Sequence, residues 1–107
     1  MMVLDEKFNF EYVKSTLPPM GLMSVKDESF FKTTTMDISN KTILIYTDGV
    51  TEGYIDEGKE LEVTGLENEI KKLNTTSPET IINHATKILT EKGFTLRDDI
   101  TALGIKL

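Results

Sequence analysis

A buried-strand pattern that runs into an acidic, glycine-containing turn constrains this chain most. The apolar run Thr42-Ile43-Leu44-Ile45 leads directly into Tyr46-Thr47-Asp48-Gly49-Val50-Thr51-Glu52. Short aliphatic and β-branched runs bounded by turn residues are typical of strands inside a core. We therefore predict that Asp48 lies where a strand ends in a turn, held rigidly but open to solvent or to a metal ion.

A second acidic pair, Asp98-Asp99, stands just before another apolar run, residues 100–107. Carboxylates at the ends of two buried strands suggest a site for a divalent cation, because Mg²⁺ and Mn²⁺ prefer oxygen ligands. Asp and Gly are also common in turns for local reasons, and each Asp would then only cap its own turn. Spacing alone favours this second interpretation, and the composition leaves the function open.

The composition excludes several classes of function. With 107 residues the chain is long enough for one small domain. Its net charge is −6 and it has no cluster of cations, so nucleic acid is not an expected partner. The absence of cysteine excludes disulfides and thiolate metal sites. The start of the chain is too charged for a signal peptide and no apolar run could span a bilayer, so we expect a cytoplasmic protein that binds no membrane.

The order of patterns along the chain is strands, two helices and a final strand. Strands are predicted over residues 2–4, 8–12, 29–36, 42–47 and 100–107. Hairpins are expected between the first and second strands and between the third and fourth. The prolines of residues 17–23 exclude an interior strand or helix there, and the polar stretch 53–62 is expected to be an exposed loop. This order predicts an α+β domain with helices packed on a mostly antiparallel sheet.

Two amphipathic segments predict the helices. Thr64-Gly65-Leu66-Glu67 matches a capping box, which would start a helix that ends near Asn74. Ser77-Pro78-Glu79 predicts the start of a second helix with Ser77 as its cap, and Lys92-Gly93 predicts its end. The buried stripe of this second helix would consist of Ile81, Ile82, Ala85, Ile88 and Leu89.

His84 is the only histidine, and it falls beside the apolar stripe of the second helix. No acidic or nucleophilic residue lies one helical turn away from it. A half-buried structural histidine is therefore favoured over a general base or a metal ligand. The sequence supports neither a Ser-His-Asp constellation nor a glycine-rich phosphate loop.

The order of motifs resembles the carboxy-terminal half of the SpoIIE-type serine phosphatases. These belong to the metal-dependent protein phosphatase superfamily, also called PPM or protein phosphatase 2C-like. The resemblance covers residues 17–107 and rests on motifs in a fixed order: Leu17-Pro18-Pro19-Met20-Gly21-Leu22, a strand hairpin, the TDG-x-x-E motif from Thr47 to Glu52, two helices, and Arg97-Asp98-Asp99-Ile100-Thr101.

The resemblance implies a metal-dependent phosphoserine or phosphothreonine protein phosphatase, whose phosphoprotein substrate would be of the anti-sigma-factor-antagonist kind. It implies Asp48 and Asp98 as ligands of a binuclear Mn²⁺ or Mg²⁺ centre, with Asp99 in support and no catalytic residue besides the metal ligands. Gly49 and Glu52 match the motif and are expected to shape the turn. The implied fold is a PPM-type two-sheet β-sandwich flanked by helices, with the metals at one end.

The chain departs from the family pattern at its start. The upstream Gly-Asp and Gly-His-x-Pro motifs, the first of which carries further metal-binding aspartates, do not occur. We therefore expect residues 1–107 to form the carboxy-terminal portion of a phosphatase domain that is inactive, or nearly so, alone. We also expect it to self-associate or to pair with the missing half through exposed strand edges and apolar faces. A non-catalytic interaction or regulatory module derived from the same fold is the alternative, and a gene fragment is a third interpretation.

Overall fold

A computed structural model describes residues 1–14, 35–91 and 99–107. Four strands form an antiparallel sheet in the order β2-β1-β3-β6, and β4 and β5 form a separate hairpin. The predicted α+β class is confirmed. In chain order the elements are β1 (Met2–Leu4), β2 (Phe10–Tyr12), β3 (Thr42–Tyr46), α1 (Asp48–Thr51), β4 (Tyr54–Asp56), β5 (Lys59–Glu60), α2 (Glu62–Leu73), α3 (Pro78–Thr90) and β6 (Ala102–Lys106).

β3 is an interior strand, with β1 paired to one edge and β6 to the other. The hairpin predicted between the first two strands is confirmed as β1 and β2. The hairpin predicted between residues 29–36 and the strand at 42–47 is wrong, because both edges of β3 are already occupied. Residues 29–34 of that predicted strand lie outside the described residues, and Thr35 and Met36 are not in a strand.

α3 covers the sheet at β3 and β6 and starts as predicted. Pro78 is its first residue, and the side chain of Ser77 accepts a hydrogen bond from the amide of Thr80 at 3.5 Å. The predicted apolar stripe faces the core, with three residues buried and two half-buried. The buried ones are Ile81, Ala85 and Leu89, and the half-buried ones are Ile82 and Ile88. The predicted end at Lys92-Gly93 lies outside the described residues.

α2 begins earlier than the capping-box pattern predicts. It starts at Glu62, and the position before it is occupied by Leu61 without any side-chain cap. Leu61 is 3% exposed and its amide donates to the carbonyl of Gly53 at 2.8 Å. Burial of this apolar anchor sets the start of the helix, so the capping pattern at Thr64 is not used. The predicted end is confirmed, because Asn74 adopts the left-handed conformation that closes many helices.

The stretch predicted as an exposed loop contains the β4–β5 hairpin instead. Its turn uses Gly58, whose φ of 67° lies in the region that favours glycine. The carboxylate of Asp56 also accepts a hydrogen bond from the amide of Glu57 at 2.9 Å. The polar composition concealed this hairpin because most side chains of so short a ribbon stay in solvent. No helix within the described ranges is long and apolar enough to cross a bilayer.

The close contact between α3 and β6 requires a glycine. A Cβ atom at Gly104 would lie 2.4 Å from the Cβ of Pro78 and 3.2 Å from the Cδ1 of Ile82. The same atom would lie 3.3 Å from the Cδ2 of Leu44, the residue paired with Gly104 on β3. The first turn of α3 therefore lies directly on the backbone of β6.

Gly104→Ala is expected to lower the free energy of unfolding by about 1–3 kcal/mol, because overpacking forces α3 away from the strand. The midpoint of urea unfolding measures the change. Gly65→Ala is the matched control, since Gly65 lies inside α2 and its new methyl would meet the flexible end of Leu61 at 3.2 Å. Alanine is favoured over glycine in a helix by about 1 kcal/mol, so this control should be neutral or stabilising. Equal losses in both variants would contradict the close contact at Gly104.

Candidate functional site

Asp48 lies at the start of a one-turn helix rather than in the turn that the sequence predicts. β3 ends at Tyr46, Thr47 is extended with φ −88° and ψ 165°, and α1 begins at Asp48. Gly49 and Val50 are buried and anchor α1 on the core, whereas Asp48 is exposed. The end of the strand therefore fixes the backbone of Asp48 and leaves its carboxylate in solvent.

Thr47 is joined to the segment before β6 by three hydrogen bonds. Its amide donates to the carbonyl of Thr101 at 3.0 Å. Its hydroxyl donates to the carbonyl of Asp99 at 3.1 Å and accepts from the amide of Thr101 at 3.2 Å. The hydroxyl thus acts as donor and acceptor at once. Thr47 and Thr101 are 54 positions apart in sequence, yet their backbones lie side by side at one end of the sheet.

Among the described residues, no donor binds the carboxylate of Asp48. Its main-chain carbonyl accepts hydrogen bonds from the amide of Glu52 at 2.8 Å and from the hydroxyl of Thr51 at 3.4 Å. An exposed carboxylate of this kind is chemically suited to a hard divalent cation, which binds oxygen ligands. Asp48 therefore has the chemistry and the access that a metal ligand needs.

Gly49 and Glu52 lie within and at the end of α1. Gly49 is buried inside the helical turn, and Glu52 is exposed and forms the carboxy-terminal cap with φ −89° and ψ −4°. Both residues therefore determine the backbone that presents Asp48. Any part that they take in binding metal stays a prediction.

Of the second acidic pair, Asp98-Asp99, the structure describes only one residue. Asp98 lies outside the described residues, whereas Asp99 is exposed and its carbonyl binds Thr47. Within residues 1–14, 35–91 and 99–107, no group of three or more His, Asp or Glu side chains is arranged to hold a metal ion. The described residues thus fit a hard cation in the type of ligand but not in number, because a binuclear centre needs several anionic oxygens.

A comparison of the sequence with protein families identifies the family of this chain. The family model described as Stage II sporulation protein E (SpoIIE) matches residues 1–107, the whole chain. The chain belongs to the SpoIIE family. No curated protein and no solved structure matched it. The match confirms the resemblance drawn from the motifs, and it extends to the β1–β2 hairpin that those motifs did not include.

In this SpoIIE-family chain, a side-chain contact that the sequence patterns do not predict joins α2 and α3. Nε2 of His84 on α3 lies 2.8 Å from Oε2 of Glu69 on α2. Nζ of Lys72 lies 3.3 Å from the other carboxylate oxygen of Glu69. His84 is half-buried as predicted, but its acidic partner comes from the neighbouring helix, which spacing along one helix cannot reveal. The hydrogen bond to His84 is the main cause that lowers the pKa of Glu69, with Lys72 adding to it.

Tyr46, which precedes the TDG motif, does not supply a phenolate nucleophile near neutral pH. Burial raises the pKa of its hydroxyl, and the nearby carboxylate of Glu67 raises it further. Burial also raises the pKa of Tyr12 on β2, which hydrogen-bonds to the same Glu67. In the SpoIIE-family chain, the described groups suited to chemistry at this end of the sheet are therefore the carboxylates.

Thr47→Val removes the hydroxyl and keeps the branched shape. We expect the free energy of unfolding to fall by about 0.5–1.5 kcal/mol, the net contribution of a typical hydrogen bond. The amide of Thr101 should also exchange with solvent faster, which NMR hydrogen exchange measures, because it loses its acceptor. Thr86→Val is the control, since the hydroxyl of Thr86 bonds a carbonyl of its own helix at 2.9 Å. Unchanged protection of the Thr101 amide in Thr47→Val would contradict this role.

Glu69→Gln tests the contact between the helices. The folded-state pKa of Glu69 lies below its ordinary value of 4.5, so its ionised form stabilises the fold above that pH. This contribution is lost as the pH falls through the lowered pKa. Near neutral pH we expect the variant to lose less than about 1 kcal/mol, since the pair is partly exposed. Acidification below about pH 5 should destabilise Glu69→Gln less than the native chain, because the variant has no carboxylate to protonate at this position.

Urea unfolding at several pH values measures this difference. Glu57→Gln, in the exposed turn of the β4–β5 hairpin, is the control and should follow the native profile. Identical pH profiles for the native chain and Glu69→Gln would show that the pair contributes nothing to stability.

Proposed function

We propose that this chain carries part of the metal site of a Mn²⁺- or Mg²⁺-dependent phosphoserine or phosphothreonine protein phosphatase. The observation that carries the proposal is the set of hydrogen bonds by which Thr47 holds the TDG segment beside the segment that contains Asp99. Asp98 is the direct sequence neighbour of Asp99, and we propose that its carboxylate acts with that of Asp48 as a metal ligand. Membership of the SpoIIE family supports a phosphatase-related domain of the PPM type.

In the proposed site Asp48 and Asp98 would hold the cation, and Asp99 would support them. When bound, a divalent metal supplies a nucleophile from water and neutralises charge on the phosphoryl oxygens. The chain contributes position and charge. The rigid end of β3 presents Asp48, and no side chain is required to form a covalent intermediate. Carboxylates alone would repel a phosphate ester, so we expect metal binding to precede substrate binding.

The proposed substrate is a phosphoprotein, and an anti-sigma-factor antagonist is the kind that the resemblance implies. We further propose that residues 1–107 alone hydrolyse phosphate esters slowly or not at all. Too few carboxylates converge among the described residues for a binuclear centre, and the upstream Gly-Asp motif is not in the sequence. The same observation favours the second candidate function, a non-catalytic module that retains the fold for protein interaction or regulation.

Metal binding at Asp48 is testable without turnover. Mn²⁺ added below stoichiometric amounts is expected to broaden the NMR amide signals of Gly49, Val50 and Thr101 before others, because a paramagnetic ion relaxes nearby nuclei. Asp48→Asn should abolish this selectivity. Glu52→Gln removes one charge from the same motif and should retain it. Selective broadening that survives Asp48→Asn would remove Asp48 from the ligand set.

Hydrolysis of p-nitrophenyl phosphate in the presence of Mn²⁺ tests the second part of the proposal. We expect the rate with the native 107-residue chain to equal the rate with Asp48→Asn, because the centre lacks ligands. Turnover by the native chain well above that of the variant would overturn the proposed inactivity. It would at the same time exclude the non-catalytic function.

A further inference from the structure

β6 forms one edge of the four-stranded sheet that the described residues build. It pairs with β3 over five residue pairs, from Thr42 with Lys106 to Tyr46 with Ala102. The opposite edge is β2, which is only three residues long and lies under side chains of α2. Nζ of Lys71 lies 5.6 Å from the ring centre of Phe10, and Tyr12 hydrogen-bonds to Glu67. Among the described residues, β6 is thus the longer of the two edge strands.

Two hydrogen bonds determine which backbone groups of β6 face outward. The amide of Thr47 donates to the carbonyl of Thr101, and the amide of Leu107 donates to the carbonyl of Lys41. In an antiparallel pair, the backbone amide and carbonyl of successive residues point alternately toward the partner strand and away from it. The amides and carbonyls of residues 101, 103, 105 and 107 therefore point toward β3. Ala102, Gly104 and Lys106 direct their amides and carbonyls to the open edge, and their pattern is symmetric about Gly104.

The side chains of β6 divide between two faces. Gly104 lies under Pro78 of α3, so the even-numbered residues face the helices. Leu103 and Ile105 face the other side, where they are 55% and 41% exposed. Their partners on β3 are Ile45 and Ile43. An exposed edge that bears aliphatic side chains favours pairing with another strand.

We propose that β6 pairs with β6 of a second copy of this chain, antiparallel and about a two-fold axis at Gly104. In this register Ala102 of each copy faces Lys106 of the other, and the two Gly104 residues face each other. These are three hydrogen-bonded pairs with two bonds each, and they use the outward amides and carbonyls of all three residues. The two sheets become one continuous sheet of eight strands.

The register also suits the side chains. Leu103 of each copy faces Ile105 of the other in a non-hydrogen-bonded pair, where opposite side chains lie closest. Lys106 is the only charged residue of β6. The two copies of Lys106 are four residues apart along the paired strands, about 14 Å at about 3.4 Å per residue. This separation exceeds the screening length of about 8 Å at physiological salt, so they repel little.

A pair of double variants tests the register. Leu103→Lys with Ile105→Lys places like charges opposite each other twice in the dimer, whereas Leu103→Lys with Ile105→Glu places opposite charges there. Both positions are well exposed, so the fold should tolerate either pair, which circular dichroism and thermal unfolding check. Glu11→Lys on β2 is the control at the other edge.

Sedimentation equilibrium over rising concentrations of the 107-residue chain measures association. We expect a weak dimer for the native chain, since a single-edge interface falls at the small end of known interfaces. The dissociation constant should rise about tenfold or more in the lysine–lysine variant. It should return toward the native value in the lysine–glutamate variant and stay unchanged in Glu11→Lys.

Three outcomes would overturn the proposal. A native chain that stays monomeric at every concentration excludes the dimer. Loss of association in both double variants indicates packing of the apolar faces rather than pairing of the edges. Undiminished association in the lysine–lysine variant, or its loss in Glu11→Lys, places the interface elsewhere. None of these results depends on metal binding or phosphatase activity.

Discussion

The antiparallel pairing of β3 with β6 is the interaction on which the rest of this structure depends. It brings segments separated by more than fifty positions into contact and gives the hydroxyl of Thr47 its two hydrogen-bond partners, the carbonyl of Asp99 and the amide of Thr101. It also provides the strand on which α3 begins, because Gly104 leaves room for Pro78. One ladder of backbone hydrogen bonds therefore fixes both the candidate metal site and the packing of α3. The rigidity of Asp48 follows from the sheet rather than from contacts of its own carboxylate.

Threonine hydroxyls hold β3 at both of its ends. At the start of the strand, the buried Thr42 donates its hydroxyl to the carbonyl of Thr76, in the connection between α2 and α3, at 2.8 Å. Just beyond its end, Thr47 binds the segment before β6. A short side chain that both donates and accepts can satisfy backbone groups where a strand leaves the regular ladder. This arrangement combines a backbone held on both sides with a carboxylate in water, which is what the proposed metal site requires.

Local patterns predicted the features that local interactions determine. Ser77 and Pro78 start α3, and Asn74 closes α2, because capping and backbone conformation depend on a few neighbouring residues. The start of α2 was mispredicted because the burial of Leu61, a tertiary contact, prevailed over a good capping pattern at Thr64. The pairing of β3 was mispredicted because its two partners come from opposite ends of the chain.

In the candidate site, too, some features follow from local patterns and others depend on tertiary contacts. That Asp48 follows a buried strand could be predicted from the apolar run before it, although the one-turn helix that it begins could not. The proximity of the two acidic motifs was implied by the family resemblance, since spacing alone favoured two unrelated turns. Nothing in the sequence pointed to the hydroxyl of Thr47 or to the contact between His84 and Glu69, because both depend on which distant elements pack together. Asp98 as a metal ligand stays a prediction.

The position of β6 in the sequence has a consequence for synthesis. Thr101 is added to the growing chain 54 residues after Thr47, a delay of roughly 3 to 11 seconds at translation rates of about 5–20 residues per second. Until then one edge of β3 has no native partner, and closing so long a loop is intrinsically slow. A nascent chain that already contains α1, α2 and α3 therefore still lacks the strand that orders the acidic end of the sheet. Assembly of that end is a late event, and the waiting edge of β3 is where a nascent chain is most open to mispairing or to capture by a chaperone.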